Sequence, residues 1–338
     1  MVYEGGNKVK SSMLKEVKVE EAVGLRLAHD LTKIVPGEFK GRAFKQGHII
    51  LEEDIPELLK IGKEHIYVIN LEKGYIHEND AAIRLANVVA GENVQLNEPH
   101  EGKVTMTSSI FGLAKIEESL VHQVNSLTDV ALATIPTHKI VKPGDKLAGT
   151  RALPLIIKEE YVEQAEALLK ENKIVEVKAF QHFRVGLVTT GSEVFKGRIK
   201  DRFKPIVEGK LKVFGSELIE QRLAPDDIEW IKKEIQYFLN KKVDMVLVSG
   251  GMSVDPDDRT PFAIREIATN VITQGTPMLP GSMLMVAYHH DIPILGLPGG
   301  VLHDPYTAFD AVLPRILVGD SITKDEIIRL GYGGYYGC

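Results

Sequence analysis

Residues 245–261 have the sequence M-V-L-V-S-G-G-M-S-V-D-P-D-D-R-T-P, in which a short apolar run passes without a spacer into an acidic glycine loop. The run Met245–Val248 predicts a buried strand. Gly250 and Gly251 allow the backbone to approach a ligand closely and to present successive N–H groups to an anion. Oxygen atoms of the kind that bind phosphate and Mg²⁺ follow at Ser253, Asp255, Asp257 and Asp258.

A predicted helix start follows this loop. Thr260 and Pro261 are typical of an N-cap and a first-turn proline, so the positive end of a helix would face the loop. The arrangement predicts a site for phosphate and Mg²⁺. The alternative is an acidic surface turn, because glycine and aspartate are common in any loop after a parallel strand.

The composition indicates a globular protein of more than one domain. The chain has 338 residues, of which 44% are hydrophobic, and this favours two or three domains with substantial cores. The net charge of −6 and the lack of a long lysine and arginine run argue against nucleic-acid or membrane partners. Any anionic ligand would have to be held locally.

The same features predict a cytoplasmic protein. Cys338 is the only cysteine, so no intrachain disulfide can form. No stretch approaches the roughly 20 apolar residues of a membrane span. The first residues, M-V-Y-E-G-G-N-K, lack the apolar core of a signal peptide.

The second half of the chain alternates short apolar runs with helical patterns, which predicts an α/β fold. We expect three layers, with an open and mostly parallel sheet and helices on both faces. Strands are predicted at Val185–Thr190, Glu217–Leu223, Met245–Val248 and Ile292–Leu297. Helices are predicted at Asp227–Asn240 and Asp304–Val318.

The first half is less regular and predicts β-rich α+β accessory lobes with helices at Ala81–Ala90 and Tyr161–Glu171. We place the accessory region at residues 1–175 and the α/β domain at residues 176–320. Residues 321–338 are rich in glycine and tyrosine, and we predict a flexible tail.

Three further loops follow the predicted strands of the α/β half. Such positions bind ligands in open α/β sheets, at the carboxyl ends of the strands. The loop that contains Asp226 could instead serve only to cap the helix that follows it. The three loops are Thr190-Gly191-Ser192-Glu193, Leu223-Ala224-Pro225-Asp226-Asp227 and Gly296-Leu297-Pro298-Gly299-Gly300.

Taken together, and in this order, the four loops resemble the molybdopterin-binding domain shared by molybdopterin adenylyltransferases and molybdopterin molybdenumtransferases. The resemblance implies that Asp226 and Asp258 are catalytic and hold Mg²⁺. It implies that the cofactor-binding residues are Thr190, Gly191, Ser192, Glu193, Ser249, Gly250, Gly251, Ser253, Pro298 and Gly299. The upstream segments Ile76–Ala82 and Val141–Ala148 are similar to the molybdenumtransferase type in particular.

The resemblance implies a pterin phosphate as ligand, namely molybdopterin or its adenylate, with molybdate as a further small-molecule partner. It also implies a homo-oligomer, either a dimer or a trimer. We expect the backbone N–H groups of Gly191, Ser192, Gly250 and Gly251 to bind phosphate oxygens. Arg259 would be either a further cation or an exposed arginine at the helix start.

The sequence departs from the family pattern in three ways. The segment Met278–Met283 surrounds a Pro-Gly element without the lysines that the family carries there. The D-G-Y-A element of the N-terminal arm is absent, and only 18 residues follow Asp320, too few for the usual C-terminal β domain. We therefore expect a reduced or divergent member.

Three functions remain open from the sequence. The first is an enzyme that transfers molybdenum to bound molybdopterin, with Mg²⁺-dependent hydrolysis of the adenylate. The second is a non-catalytic carrier or sensor of molybdopterin, which the missing lysines favour. The third is a Mg²⁺-dependent nucleotide pyrophosphatase. An ordinary dinucleotide dehydrogenase is disfavoured, because the turn after the first strand lacks G-x-G-x-x-G.

Overall fold

The chain forms two compact units, Met1–Lys178 and Ala179–Cys338. The computed structural model describes residues 13–337 except 36–38, 101, 254 and 257. The division lies close to the boundary predicted after residue 175. None of the helices in this described part of the chain has both the length and the apolar content that a membrane span requires.

The first unit begins with a small lobe built on two antiparallel strand pairs. Strand β1 (Leu14–Lys18) pairs with β4 (His65–Ile69), and β2 (Leu31–Val35) pairs with β3 (Phe39–Phe44). Helix α1 spans Ile55–Lys60. Buried aliphatic side chains close this lobe, among them Val19, Leu27, Ile50, Leu58 and Ile66.

The rest of the first unit contains three small sheets around one core. In sheet order, the four-stranded sheet has β6 (Val94–Leu96), β7 (Lys103–Ser108), β11 (Lys146–Ala152) and β9 (Val130–Thr134). The others are β10 (Ile140–Val141), β8 (Gly112–Ile116) and β13 (Val175–Ala179), and the pair β12 (Ile156–Lys158) and β5 (Tyr75–His77). The helices are α2 (Glu78–Val89), α3 (Glu118–Asn125) and α4 (Glu159–Leu168).

The second unit has a six-stranded mixed sheet, which confirms the α/β class. In sheet order the strands are β15 (Glu217–Ala224), β14 (Arg184–Thr190), β16 (Met245–Ser249), β19 (Ile292–Leu297), β18 (Met285–His289) and β17 (Asn270–Gln274). The first four strands are parallel. The last two pair antiparallel with their neighbours, and the sequence analysis did not predict them.

Helices pack on both faces of this sheet. They are α5 (Ser192–Phe195), α6 (Phe203–Val213), α7 (Ile228–Asn240), α8 (Thr260–Ile267), α9 (Ala308–Leu317) and α10 (Lys324–Arg329). Because side chains alternate along a strand, Leu187 joins a core with residues of α6 and α9, while Val188 joins a core with residues of α7 and α8. The predicted helices at Asp227–Asn240 and Asp304–Val318 are both present, although α9 begins later.

The packing of α7 against the sheet depends on a glycine in β14. A Cβ atom added at Gly186 would lie 2.4 Å from the ring of Phe238, which is fully buried. Only a residue without a side chain allows the aromatic ring to rest on the strand backbone.

The prediction that residues 321–338 form a flexible tail is wrong for most of this segment. Residues 324–329 form helix α10, which a Thr323 capping box begins, and Ile327 is buried in the core. Further on, the backbone N–H of Leu279 donates to Gly334, and that of Tyr336 donates to Leu279. The glycine-rich composition suggested a free end, but a capped amphipathic turn and these backbone hydrogen bonds hold it against the unit.

Candidate functional site

All four predicted loops leave the same edge of the six-stranded sheet. Strand register places Thr190 beside Ala224, Thr189 beside Ser249, and Ser249 beside Leu297. Neighbouring strands lie about 4.8 Å apart. The carboxyl ends of β15, β14, β16 and β19 therefore present their loops side by side.

The loop after β14 is tied to the loop after β15 by two backbone hydrogen bonds. The N–H of Gly191 donates to the carbonyl oxygen of Ala224 over 3.2 Å. The N–H of Ser192 donates to Oδ2 of Asp226 over 2.8 Å. Both N–H groups thus have partners within the chain, and their expected binding to phosphate stays a prediction.

Asp226 and Asp227 have different roles. Asp227 is the N-cap of α7, and its Oδ1 accepts the N–H of Trp230 over 2.9 Å. Asp226 does not cap the helix. One of its oxygens accepts the Ser192 N–H, and the other accepts no hydrogen bond from any residue in the described part of the chain.

The glycine loop after β16 packs closely against the end of β14. Gly250 has φ 91°, and a Cβ atom added there would lie 2.4 Å from the carbonyl oxygen of Thr190. Gly251 has φ 56°, and its added Cβ would lie 3.1 Å from Oγ1 of Thr260. Both positions require glycine, the first for space as well as for backbone conformation.

Thr260 is not the N-cap that the sequence predicted. Arg259 occupies the cap position without a side-chain hydrogen bond, and Thr260 is the first residue of α8. The Thr260 side chain is fully buried, and its hydroxyl donates to the carbonyl oxygen of Gly250 over 2.8 Å. The same Oγ1 lies 3.1 Å from Oγ1 of Thr190, so one hydroxyl joins two loops and a helix.

Two glycine loops on neighbouring strands have backbone N–H groups that no described residue uses. Among the described residues, no group accepts a hydrogen bond from the backbone N–H of Gly250, Gly251, Gly299 or Gly300. Gly299 and Gly300 begin a short 3-10 helix directly after β19 and the buried Pro298. These unpartnered donors can bind the oxygens of an anion.

Asp258 belongs to the glycine loop after β16, and its hydrogen bonds among the described residues stay within its own turn. Its Oδ2 accepts the N–H of Asp255 over 3.0 Å, and its own N–H donates to the carbonyl oxygen of Asp255. Asp257 lies outside the described residues. No group of three or more potential metal-ligating side chains occurs among the residues that the structure describes.

The remaining predicted residues border these loops. Ser253 and Glu193 are exposed. Arg259 is exposed too, which fits its interpretation as a surface arginine at the start of a helix. Ser192 is half-buried at the start of α5. The loop after β19 also brings Gly300 beside Pro280 and Gly281, whose segment lacks lysine. Burial raises the pKa of Tyr306, farther along that loop, to about 12, so the phenol stays neutral.

A polar network that the sequence did not predict joins the ends of β14, β15 and β16. The hydroxyl of buried Ser249 donates to Oγ1 of Thr189 over 3.2 Å. Nε2 of Gln221 donates to that same Oγ1 over 2.8 Å and to Oδ2 of Asp201 over 2.7 Å. Asp201 in turn accepts the N–H of Phe203 at the start of α6. In the sequence, Asp201 is a lone aspartate two residues before a helical pattern. That position does not indicate a partner on a strand.

Comparison with protein families supports the resemblance drawn from the four loops. Residues 186–317 match the family described as a "probable molybdopterin binding domain", and residues 16–70 match a domain of unknown function. The match covers the four loops and most of the second unit. The resemblance of this half of the chain to molybdopterin-binding domains is confirmed.

Individual relatives match only part of the chain. A CinA-like protein of Mycobacterium marinum is 32% identical over 77 residues, which are 23% of this chain and 18% of that protein. A molybdopterin molybdenumtransferase of Synechococcus elongatus is 26% identical over 152 residues, 42% of this chain and 38% of that protein. A solved structure of the molybdopterin biosynthesis enzyme MoaB from Thermus thermophilus is 26% identical, covering 41% of this chain and 98% of that one, with a TM-score of 0.35.

Proposed function

We propose that the second unit binds molybdopterin or its adenylate through the phosphate groups, at the edge where β14, β15, β16 and β19 end. One observation carries the proposal: Gly250, Gly251, Gly299 and Gly300, at two adjacent strand ends, have N–H donors that no described residue uses. The family match over residues 186–317 supplies the identity of the ligand class. Each N–H would donate to a phosphate oxygen in place of water, a charge-assisted bond that contributes about 1.5–3 kcal/mol.

Hydrogen bonds between the loops after β14, β15 and β16 hold the Gly250 loop in place before the ligand binds. Thr260 joins the glycine loop to Thr190, and Asp226 holds the N–H of Ser192. Binding would therefore need little ordering of the backbone at Ser192 and Gly250. Donors that are already oriented stabilise developing negative charge without a reorganisation cost.

In this proposal Asp226 and Asp258 would hold Mg²⁺, because carboxylate oxygens are ligands of the kind that Mg²⁺ takes. Asp226 and Asp258 each have one carboxylate oxygen that accepts no hydrogen bond from the described residues. Mg²⁺ commonly takes one or two carboxylates and completes its shell with water and substrate phosphate oxygens. When bound, it would neutralise charge on the phosphate oxygens.

We further propose that the unit acts as an enzyme on the adenylate. In the reaction, water adds to phosphorus and the phosphoanhydride P–O bond breaks, so that AMP is released and a phosphate stays on the pterin. The hydroxyl of Ser192 would donate to a phosphate oxygen next to the glycine loops, and Asp226 would hold Mg²⁺. In the same cycle the two dithiolene sulfurs would bind molybdenum, and one oxygen of molybdate would leave as water with the two thiol protons.

A second candidate function is a carrier or sensor that binds molybdopterin without turnover. The specific observation that favours it is the composition of Met278–Met283, which has no lysine although the structure places Pro280 and Gly281 beside the loop after β19. Without cations there, the dianionic molybdate would lack a charged partner at this segment.

A binding and turnover experiment separates these functions. We would titrate the anaerobic protein with molybdopterin and with its adenylate, following pterin fluorescence, and assay AMP release with and without Mg²⁺ and molybdate. Release of AMP that requires both would support the enzyme, and tight binding without AMP release would support the carrier. If neither pterin binds while ADP-ribose is hydrolysed with Mg²⁺, the proposal fails and the pyrophosphatase alternative replaces it.

A further inference from the structure

A short basic segment follows α5, near the carboxyl end of β14, and has no role in the site described so far. Residues 196–202, which we name the basic turn, join α5 to α6 and have the sequence K-G-R-I-K-D-R. Its four cations are exposed, and none of them pairs with an acidic side chain among the described residues. They are Lys196, Arg198, Lys200 and Arg202.

This concentration of positive charge is unusual for the chain, whose net charge is −6. Many other lysines and arginines of the second unit pair with a carboxylate, as Lys232 does with Glu229 and Glu266. The one acidic residue of the basic turn, Asp201, is already engaged by Gln221 and by two backbone N–H groups of α6. It therefore satisfies donors of the fold and does not pair with the neighbouring cations.

Both ends of the basic turn are attached to the edge where the loops emerge. At its start, the N–H of Arg198 donates to the carbonyl oxygen of Glu193 over 2.8 Å, in the loop after β14. At its end, Asp201 is joined through Gln221 to Thr189, the second-last residue of β14. The cations are therefore carried by a segment anchored twice at the carboxyl end of one strand.

We propose that the basic turn binds the phosphate groups of the ligand and supplies the positive charge that the glycine loops lack. This inference rests on the proposed function, because it concerns the same site and the same phosphates. Backbone N–H groups orient an anion but carry no formal charge, whereas a phosphoanhydride carries several negative charges. Arginine binds phosphate in a bidentate manner and lysine acts as a point charge, so the two residue types together fit such a group.

The inference also explains how the site could bind phosphate although Met278–Met283 lacks the lysines that the family carries there. The cations occur at the end of β14 instead, on a different side of the glycine loop after β16. A charged group at that position would bind the phosphate end of the ligand. The charged group would raise the affinity of the protein for the ligand and make that affinity depend on the salt concentration.

The test compares two charge-matched double variants. Arg198→Gln/Lys200→Gln removes two cations of the basic turn. Arg184→Gln/Lys212→Gln removes one arginine and one lysine at the opposite edge, where β14 begins and α6 ends, and both are exposed without an ion pair among the described residues. Calorimetry at low and high salt would measure Kd for ADP and pyrophosphate, and fluorescence would measure Kd for molybdopterin.

We expect the first variant to weaken binding of ADP and pyrophosphate by roughly tenfold or more and to flatten the salt dependence. The second should stay within about twofold of the unchanged protein. Equal affinities in the two variants would overturn the inference, as would an unchanged protein that binds none of the three probes. If ADP and pyrophosphate bind in the expected way but molybdopterin does not, the inference on phosphate stands while the proposed function fails.

Discussion

The hydroxyl of Thr260 donates a hydrogen bond to the carbonyl oxygen of Gly250 across 2.8 Å and thereby joins the first turn of α8 to the glycine loop after β16. Because that hydroxyl has a single proton, the contact with Thr190 at 3.1 Å requires Thr190 to donate. Three chain segments meet at one buried oxygen. The shape of the loop thus depends on a contact between residues far apart in sequence.

Replacing Thr260 by valine should destabilise the second unit. The substitution keeps the shape but leaves the Gly250 carbonyl and the Thr190 hydroxyl without their partner, which costs about 1–3 kcal/mol at a fully buried position. Urea unfolding would measure the loss. Thr269→Val is the control, because Thr269 makes similar hydrogen bonds at an exposed position where water can replace them. Equal losses in the two variants would contradict the assigned role of Thr260.

Gly250→Ala should be more damaging than the same change at another glycine with positive φ. Gly215 has φ 76° and nothing within 4 Å of an added Cβ, so its replacement costs only backbone strain of about 1–2 kcal/mol. At Gly250 the Cβ would also lie 2.4 Å from the oxygen of Thr190. We expect a larger loss of stability and weaker ligand binding, measured by unfolding and by titration. A loss no greater than that of Gly215→Ala would show that the two loops separate readily.

The contact between Gly186 and Phe238 predicts a compensating pair of substitutions. Gly186→Ala should cost about 1–3 kcal/mol, because the new methyl group overlaps the buried ring. Phe238→Leu makes room, so the double variant should lose less stability than the sum of the single losses. A double-mutant cycle would measure the coupling. Gly149→Ala serves as the control, since its nearest neighbour lies at 3.8 Å. Simple additivity would rule out the proposed overlap.

Asp226→Asn should separate the charge of this side chain from its structural role. The amide oxygen can still accept the N–H of Ser192, so the fold should stay within about 1 kcal/mol of the unchanged protein. Mg²⁺-dependent release of AMP should fall by at least about 100-fold, because the carboxylate charge is lost. Asp227→Asn makes the same change one residue later, at a helix cap where asparagine is equally suitable. Full activity in Asp226→Asn would remove this residue from the mechanism.

The buried His77 predicts a loss of stability in mild acid. Desolvation lowers the pKa of His77 below 6.5. The hydrogen bond to the carbonyl oxygen of Ala28 and the charge of nearby Asp80 raise the pKa, but by less. The unfolded chain therefore binds a proton first as the pH falls. Stability from this residue is complete above about pH 6.5 and declines as the pH falls through the folded pKa.

Urea unfolding of the protein at pH 8 and pH 5.5 would measure this decline. In a His77→Gln variant the difference between the two pH values should be smaller, because the titrating group is gone. His65→Gln, at an exposed position, should leave the difference as it is in the unchanged protein. An undiminished pH dependence in His77→Gln would assign the effect to other groups.

Much of the α/β half followed from local patterns. The strands around Val185–Thr190 and Met245–Val248 were predicted because apolar runs of this length are buried strands, and α7 because its apolar residues recur every three or four positions. The edge hairpin of β17 and β18 was missed. Tertiary packing determines which strands pair at the edge of a sheet, and the hydrophobic periodicity of the sequence does not indicate this pairing.

The same limit applies within the site. Gly191 and Ser192 resembled free N–H donors, yet Ala224 and Asp226 already use them. Thr260 resembled a helix cap, yet its hydroxyl serves the neighbouring loops. A hydrogen bond of this kind satisfies a buried polar group by pairing it with a residue many positions away. Only the register of the parallel strands brings such partners together.

The sequence by itself determined the fold class, the four loops and their placement at strand ends, because hydrophobic periodicity and glycine or proline content are local properties. Tertiary structure alone decided which donors remain free. Gly250, Gly251, Gly299 and Gly300 keep N–H groups that no described residue uses, and the cations of the basic turn pair with no described acidic side chain. The reason is physical: each polar group of a folded chain is committed or available according to its neighbours in space.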